Sequence, residues 1–257
     1  MTVKSLILFL LLSQGYAMLL TATGSGCSEP PKASADPGYS YKQPHPDGTG
    51  KQYMGREIAH VMSASGGSWL ERSSRQQEED AAAAIAKMPL LPNSVVADIG
   101  AGTGYYTFRI AARVPEGKVY AVEVQDAFID ALRARIQTTG VNNVTVVKGT
   151  ESSTNLPDGS VDLAIMVDVY HELAYPKELL AALYKCLKPN GRLLLLEYRG
   201  EDPSVPIKAL HKMTAAQANK ELKANAFLPE RTESFLPIQH FLLYRKQDTV
   251  IRQNIKH

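Results

Sequence analysis

The chain reads as an α/β protein built on a doubly wound, mostly parallel sheet of seven strands that ends in a C-terminal antiparallel pair. Three observations predict this. Apolar runs of strand length alternate with segments of helical periodicity from Val95 to Leu196. A glycine turn, Gly100-Ala101-Gly102-Thr103-Gly104, joins the first of those runs to the helix-like segment behind it. The run Val161–Val167 is apolar almost throughout, as a strand buried on both faces of a parallel sheet must be.

The elements follow in order. Ser74-Arg75-Gln76-Gln77 offers a capping box. Ala81, Ala84, Ile85 and Met88 then fall at helical spacing, and Pro89 and Pro92 close that helix. Glu78-Glu79-Asp80 reads as a solvated first turn that suits the helix dipole. Val95–Ile99 is the first strand of the parallel set; Phe108, Ile110, Ala111 and Val114 pack the next helix on the sheet. Residues 118–124 form the second strand. Ala127, Ile129, Leu132 and Ile136 mark a crossover helix capped by Gly140, and residues 144–147 form the third strand. Leu156-Pro157-Asp158-Gly159-Ser160 turns into the fourth strand, Val161–Val167. A helix over 176–187, with Leu180, Leu183 and Leu187 on one face, leads through Lys188-Pro189-Asn190-Gly191 to a fifth strand over 192–197. Residues 208–226 read as helical, and 227–236 with 240–244 as the antiparallel pair.

The 257 residues allow one α/β domain with appendages, and 44% hydrophobic residues suffice for a sizeable core. A net charge of +2 without a basic run leaves no nucleic-acid footprint. Residues 1–27 stand apart. Lys4 precedes an apolar run from Leu6 to Leu12, extended by Ala17-Met18-Leu19-Leu20, and small residues lead to Cys27, which is the pattern of an export signal. The break at Ser13-Gln14-Gly15 argues against a stable membrane-spanning helix. Ser25-Gly26-Cys27 resembles a bacterial lipobox, with Gly24 where that motif prefers leucine. The resemblance implies an exported protein, periplasmic or tethered to the membrane through acylated Cys27. Residues 28–50, rich in Pro, Gly, Ser and Asp, read as a tether, so the domain is expected to begin near Lys51. In 51–70, Tyr53, Ile58, Val61 and Met62 share a helix face until Ser65-Gly66-Gly67-Ser68 breaks it before Trp69. Cys186, in a helix beside Leu183 and Leu187, reads as a small core residue.

The glycine turn names the chemistry. A dinucleotide turn, GxGxxG, places its third glycine at the position Tyr105 holds; here the spacing is GxGxG. Asp98, at the carboxyl end of the strand, repels a pyrophosphate on the helix N-terminus and suits an ammonium or sulfonium charge. Glu123 ends the next strand, where an acid accepts ribose hydroxyls. Together these residues resemble the class I S-adenosylmethionine-dependent methyltransferases, whose first motif matches Asp98-Ile-Gly-Ala-Gly-Thr-Gly.

That resemblance covers residues 74–245. It implies a Rossmann-like fold, S-adenosylmethionine as cofactor, and a small-molecule acceptor of the quinone-biosynthesis kind. Cofactor contacts fall on Asp98, Gly100, Gly102, Gly104, Glu123, Glu151 and Asp168, with Thr150 sharing the adenine position although the usual Gly-Asp pair is absent. Asp168-Val169-Tyr170-His171-Glu172 follows the fourth strand, where open α/β sheets bind ligands. His171 is the first candidate for a catalytic base, with Glu172 orienting it or serving instead. The segment lacks the Asn/Asp-Pro-Pro-Tyr form used on planar nitrogens. His171-Glu172 does not continue as HExxH, so no metal site is expected. The residues of 51–73 form a lid in this resemblance. Tyr53, Arg56, His60, Trp69 and Arg72, with Tyr170 and Tyr198, are the substrate-side candidates. Two other readings stay open at this point: an exported binding protein that keeps the fold without catalysis, and an NAD-dependent oxidoreductase. The oligomeric state has no signal in the sequence.

Overall fold

The computed structural model describes residues 38–247. The export signal, Cys27 and residues 28–37 of the expected tether lie outside the described residues.

The described chain opens with three antiparallel strands, β1 (Tyr39–Tyr41), β2 (Gly48–Tyr53) and β3 (Arg56–Ala59), paired in that order. This corrects two expectations: residues 38–50 are not tether, and 51–62 is not a helix. The physical reason is local. Met54 and Gly55 both have positive φ, 50° and 94°, which a two-residue hairpin turn requires. Tyr39, Tyr53 and Ile58 then face one way into a small core of their own. Glu57 is buried because it accepts N–H bonds from His45 and Gly50, at 2.9 and 3.0 Å, and pairs with Lys42 at 3.0 Å.

Three short helices come next, α1 (Gly67–Leu70), α2 (Arg75–Glu79) and α3 (Ala81–Lys87). Ser74 makes no side-chain cap; Asp80 caps α3 instead, accepting from the Ala83 N–H at 3.2 Å. Glu79 was expected in solvent and is fully buried. It accepts from Arg72, Arg75 and Tyr198 at 2.7, 2.8 and 2.8 Å, so its charge is compensated where it sits.

The main unit alternates as expected: β4 (Val95–Ile99), α4 (Tyr105–Ala111), β5 (Lys118–Glu123), α5 (Asp126–Thr139), β6 (Val144–Lys148), β7 (Val161–Val167), α6 (Pro176–Cys186), β8 (Leu187–Tyr198), α7 (Ala215–Ala224), β9 (Phe227–Glu233) and β10 (Gln239–Lys246). The seven strands lie in the order β6-β5-β4-β7-β8-β10-β9. The pairs from β6 through β8 are parallel, and β10 runs antiparallel to both neighbours. Alternation along the strands feeds two core layers. Val96, Leu163, Leu194 and Phe241 join one; Ala97, Ala164, Leu195 and Leu242 join the other. Cys186 packs in the second layer, where burial pushes its thiol up to about 11.

Between β4 and β7 the strand order reverses: β5 and β6 were added on one side of β4, β7 and β8 on the other. That switch point, at the carboxyl ends of the strands, is where an open α/β sheet leaves a crevice.

Candidate functional site

A cavity of about 830 Å³ opens at that switch point. Its size is that of a pocket for a cofactor-sized ligand.

One end is built by the glycine turn. Gly100 and Gly102 line the cavity with φ of 69° and 55°. A Cβ on Gly100 would stand 2.7 Å from Val169 Cγ2, so glycine is required there by conformation and by space; at Gly102 the requirement is conformational, because the near atom is the movable tip of Leu70. Glu123 faces the same end and is held by backbone donors: the Gly102 N–H reaches Oε2 at 2.9 Å, and those of Val124 and Gln125 reach Oε1 at 2.7 and 3.0 Å. Thr150 and Glu151 line the cavity beyond it. Asp168, with φ of 54°, accepts from Gln239 Nε2 at 2.8 Å on Oδ2. Its Oδ1 is buried and has no hydrogen-bond partner among the described residues. Burial, with Glu79 and Glu197 nearby, holds the Asp168 carboxyl well above the usual carboxylate range.

Two residues expected at the cofactor stand behind it. Asp98 does not line the cavity. It lies buried beneath the turn, where Thr107 Oγ1 of α4 donates to its Oδ2 at 2.5 Å. Burial pushes its carboxyl up to about 6; Thr107 opposes the shift and Glu123 adds to it. Gly104 begins α4, and a Cβ there would meet Phe108 at 2.6 Å and Leu132 at 2.8 Å, so it serves helix packing.

The other end carries the titratable groups. His171 lies in a single 3₁₀ turn, Tyr170–Glu172, straight after β7, and is 2% exposed. Its Nδ1 is 2.7 Å from Oε2 of fully buried Glu197 at the end of β8. Glu197 is fixed in turn by the N–H groups of Val169 and Tyr170, at 3.2 and 2.7 Å. The partner that orients His171 is therefore Glu197, not Glu172, whose Oε2 is 4.0 Å from Nε2. Glu172 accepts from the Met62 N–H at 3.1 Å; burial pushes its carboxyl up to about 7 against the opposing pull of His171. His211, from the segment before α7, brings Nδ1 to 3.3 Å from His171 Nε2. No spacing in the sequence joins residues 171, 197 and 211. The apolar approach of β8 to its end at Glu197 was the one legible sign, and His211 had none.

Among the substrate-side candidates, Trp69, Tyr198 and His60 line the cavity. Arg72 stacks 3.7 Å over the Trp69 ring and does not line it. Three others are structural. Tyr53 packs on Tyr39 and its hydroxyl accepts from Asn225 at 2.7 Å. Tyr170 is fully buried and donates to Glu221 at 2.8 Å. Arg56 pairs bidentately with buried Glu221 at 2.9 and 3.1 Å and donates to the His171 carbonyl at 2.8 Å. Side chains that find such partners in the interior are satisfied there and do not reach a ligand.

Comparison with known proteins agrees with this geometry. Residues 97–193 match a family model described as a methyltransferase domain. An uncharacterized methyltransferase-like protein of Schizosaccharomyces pombe is 35% identical over 113 residues, 44% of this chain and 41% of that one. The ubiquinone/menaquinone biosynthesis C-methyltransferase UbiE of Ectopseudomonas mendocina is 31% identical over 120 residues, 46% of each chain. The chain thus spans less than half the length of these curated relatives. The crystal structure of an S-adenosylmethionine-dependent methyltransferase from Aquifex aeolicus superposes with a TM-score of 0.69 at 24% identity, over 72% of this chain and all of that one. The fold is the Rossmann-like methyltransferase fold, and within it residues 97–193 are similar to a methyltransferase domain. The curated similarity of this segment runs, at a distance, to UbiE enzymes among others.

Proposed function

We propose that this protein transfers the methyl group of S-adenosylmethionine to a small-molecule acceptor, an oxygen or acidic carbon, at the His171 end of the cavity. One observation carries the reading: Glu123, locked by three backbone N–H groups beside the glycine turn, shares a single cavity with the buried His171–Glu197 pair.

The residues present fit the cofactor. Gly100 and Gly102 let it approach the backbone closely, Glu123 accepts its ribose hydroxyls, and the orphaned Oδ1 of Asp168 suits an ammonium N–H. Thr150 and Glu151 line the cavity beyond Glu123 and would hold the adenine. The cofactor supplies an electrophilic sulfonium methyl; the chain supplies position and a proton acceptor. With Nδ1–H committed to Glu197, Nε2 of His171 presents its lone pair to the cavity, where a proton leaving the acceptor is taken up. Trp69 and Tyr198 offer an aromatic wall for a ring-bearing acceptor. The names of the distant relatives support a quinol-like acceptor class.

Incubating the full chain with methyl-labelled S-adenosylmethionine and a panel of phenolic and quinol acceptors tests this. Label should move to at least one acceptor, and His171→Ala should slow it by about 10²–10⁴-fold. Failure to bind the cofactor would overturn the reading. We also propose that the protein is exported and tethered through acylated Cys27; residues 1–27 support this. Loss of palmitate labelling in Cys27→Ser is the expected result.

A further inference from the structure

We propose that His171, Glu172 and His211 form a binding site for one first-row divalent cation at the acceptor end of the cavity. All three line that cavity, and among the described residues their ligand atoms lie within 4.8 Å of one another.

Three features make this more than proximity. The first is spacing. Two imidazole nitrogens bound to one tetrahedral ion at about 2.0–2.1 Å stand about 3.3 Å apart. His171 Nε2 and His211 Nδ1 are 3.3 Å apart. Glu172 Oε2 is 4.0 Å from the first nitrogen and accepts from the Met62 N–H at 3.1 Å, so its carboxylate must turn toward the two nitrogens to ligate. The second is the supporting bond. A metal-binding histidine gives its other N–H to a carboxylate, which fixes ring and tautomer. His171 does this with fully buried Glu197, at 2.7 Å. The third is the donor set. Two imidazoles and one carboxylate on one side of a cavity suit zinc, manganese, iron or cobalt and leave further positions open. Of the nearby cationic side chains, Lys208 is engaged by Asp47 at 2.5 Å and Arg56 by Glu221 at 2.9 Å.

The sequence hides the set because His211 is forty positions from His171 and lies in a separate 3₁₀ turn, Ala209–His211, before α7. This inference rests on the methyl-transfer reading for its use: an open position on the ion selects acceptors that present an oxygen donor, and His171 Nε2 then holds the ion instead of taking the proton. The ion would make a bound hydroxyl acidic enough to release its proton to water in the open cavity. The oxygen left on the acceptor would then take the methyl from the sulfonium, which departs as the neutral thioether.

Calorimetric titration of the untagged, metal-free full chain with Zn²⁺, and with Co²⁺ followed by its visible absorption, tests the site. One equivalent should bind, with Co²⁺ bands of a low-coordinate nitrogen-containing site. His211→Ala and Glu172→Gln should each weaken binding at least about tenfold, and Glu197→Gln by about 10–100-fold through His171. Circular dichroism matching wild type confirms that these variants fold. Absence of saturable binding, or an affinity unchanged in His211→Ala, would overturn the site. S-adenosylmethionine titrated into the metal-free chain separates the two ideas: cofactor binding without metal binding sinks only this inference, and metal binding without cofactor binding sinks only methyl transfer.

Discussion

His171 Nδ1 lies 2.7 Å from Oε2 of Glu197, and this bond decides which ring nitrogen the cavity meets. A carboxylate can only accept, so Nδ1 carries the proton and Nε2 is left with its lone pair. Glu197→Gln should reverse that. Its amide oxygen can keep the Val169 and Tyr170 N–H bonds while its NH₂ turns to Nδ1. Nitrogen-15 spectra of the metal-free protein should show His171 switching from the Nδ1-protonated to the Nε2-protonated tautomer. Methyl transfer should fall about 10–100-fold. An unchanged tautomer would contradict the assigned role of Glu197.

Arg56 ties the N-terminal strands to the site by binding Glu221 and the His171 carbonyl together. Arg56→Ala leaves the buried Glu221 carboxylate without its cation. Urea unfolding should show a loss of about 3–5 kcal/mol, and the double variant Arg56→Met, Glu221→Gln should recover part of it.

Gly100 and Gly140 share nearly the same φ, 69° and 67°, but only Gly100 is crowded by Val169; Gly140 has nothing within 4 Å of its would-be Cβ. Gly140→Ala should cost about 1–2 kcal/mol for the left-handed conformation. Gly100→Ala should cost about 1–3 kcal/mol more from overpacking and weaken cofactor binding as well. Thermal denaturation of the pair separates strain from space.

Asp98 gives a pH signature. Its carboxyl is raised from 3.8 to about 6 by burial, so the folded state holds that proton more tightly than the unfolded chain. Its contribution to stability is therefore full below about pH 4 and is lost as pH rises through 6. Asp98→Asn keeps an acceptor for Thr107 and removes the charge. Relative to wild type it should be near neutral at pH 4 and more stable by up to about 3 kcal/mol at pH 7.5, read from unfolding curves at both values. No change in the difference between those pH values would contradict the burial argument.

The β4–Glu123 half of the site was legible because a glycine turn and a strand-end acid are fixed by backbone geometry, which a local pattern records. Asp98 shows the limit of that reading: the motif located the turn, but the carboxylate points beneath it to Thr107. Pro and Gly between residues 28 and 50 resemble a tether, whereas 39–56 gains its stability from distant partners: Tyr39 from Glu178, Arg56 and the β2–β3 turn from α7. His211 was hidden for the same reason, and Glu197, legible as a strand-end acid, gave no sign of its bond to His171. Their meaning lies in what the sheet brings beside His171, and no spacing encodes it.

The proposed methyl transfer requires the Gly100–Glu123 end of the cavity to hold S-adenosylmethionine. Calorimetric titration of the full chain with S-adenosylmethionine, and separately with NAD, addresses it most directly, with Glu123→Ala alongside. One cofactor should bind per chain, NAD should not, and Glu123→Ala should weaken binding by about 10–100-fold, the worth of one or two charge-assisted hydrogen bonds. A folded protein that binds NAD instead, or binds S-adenosylmethionine equally well without Glu123, would contradict the account.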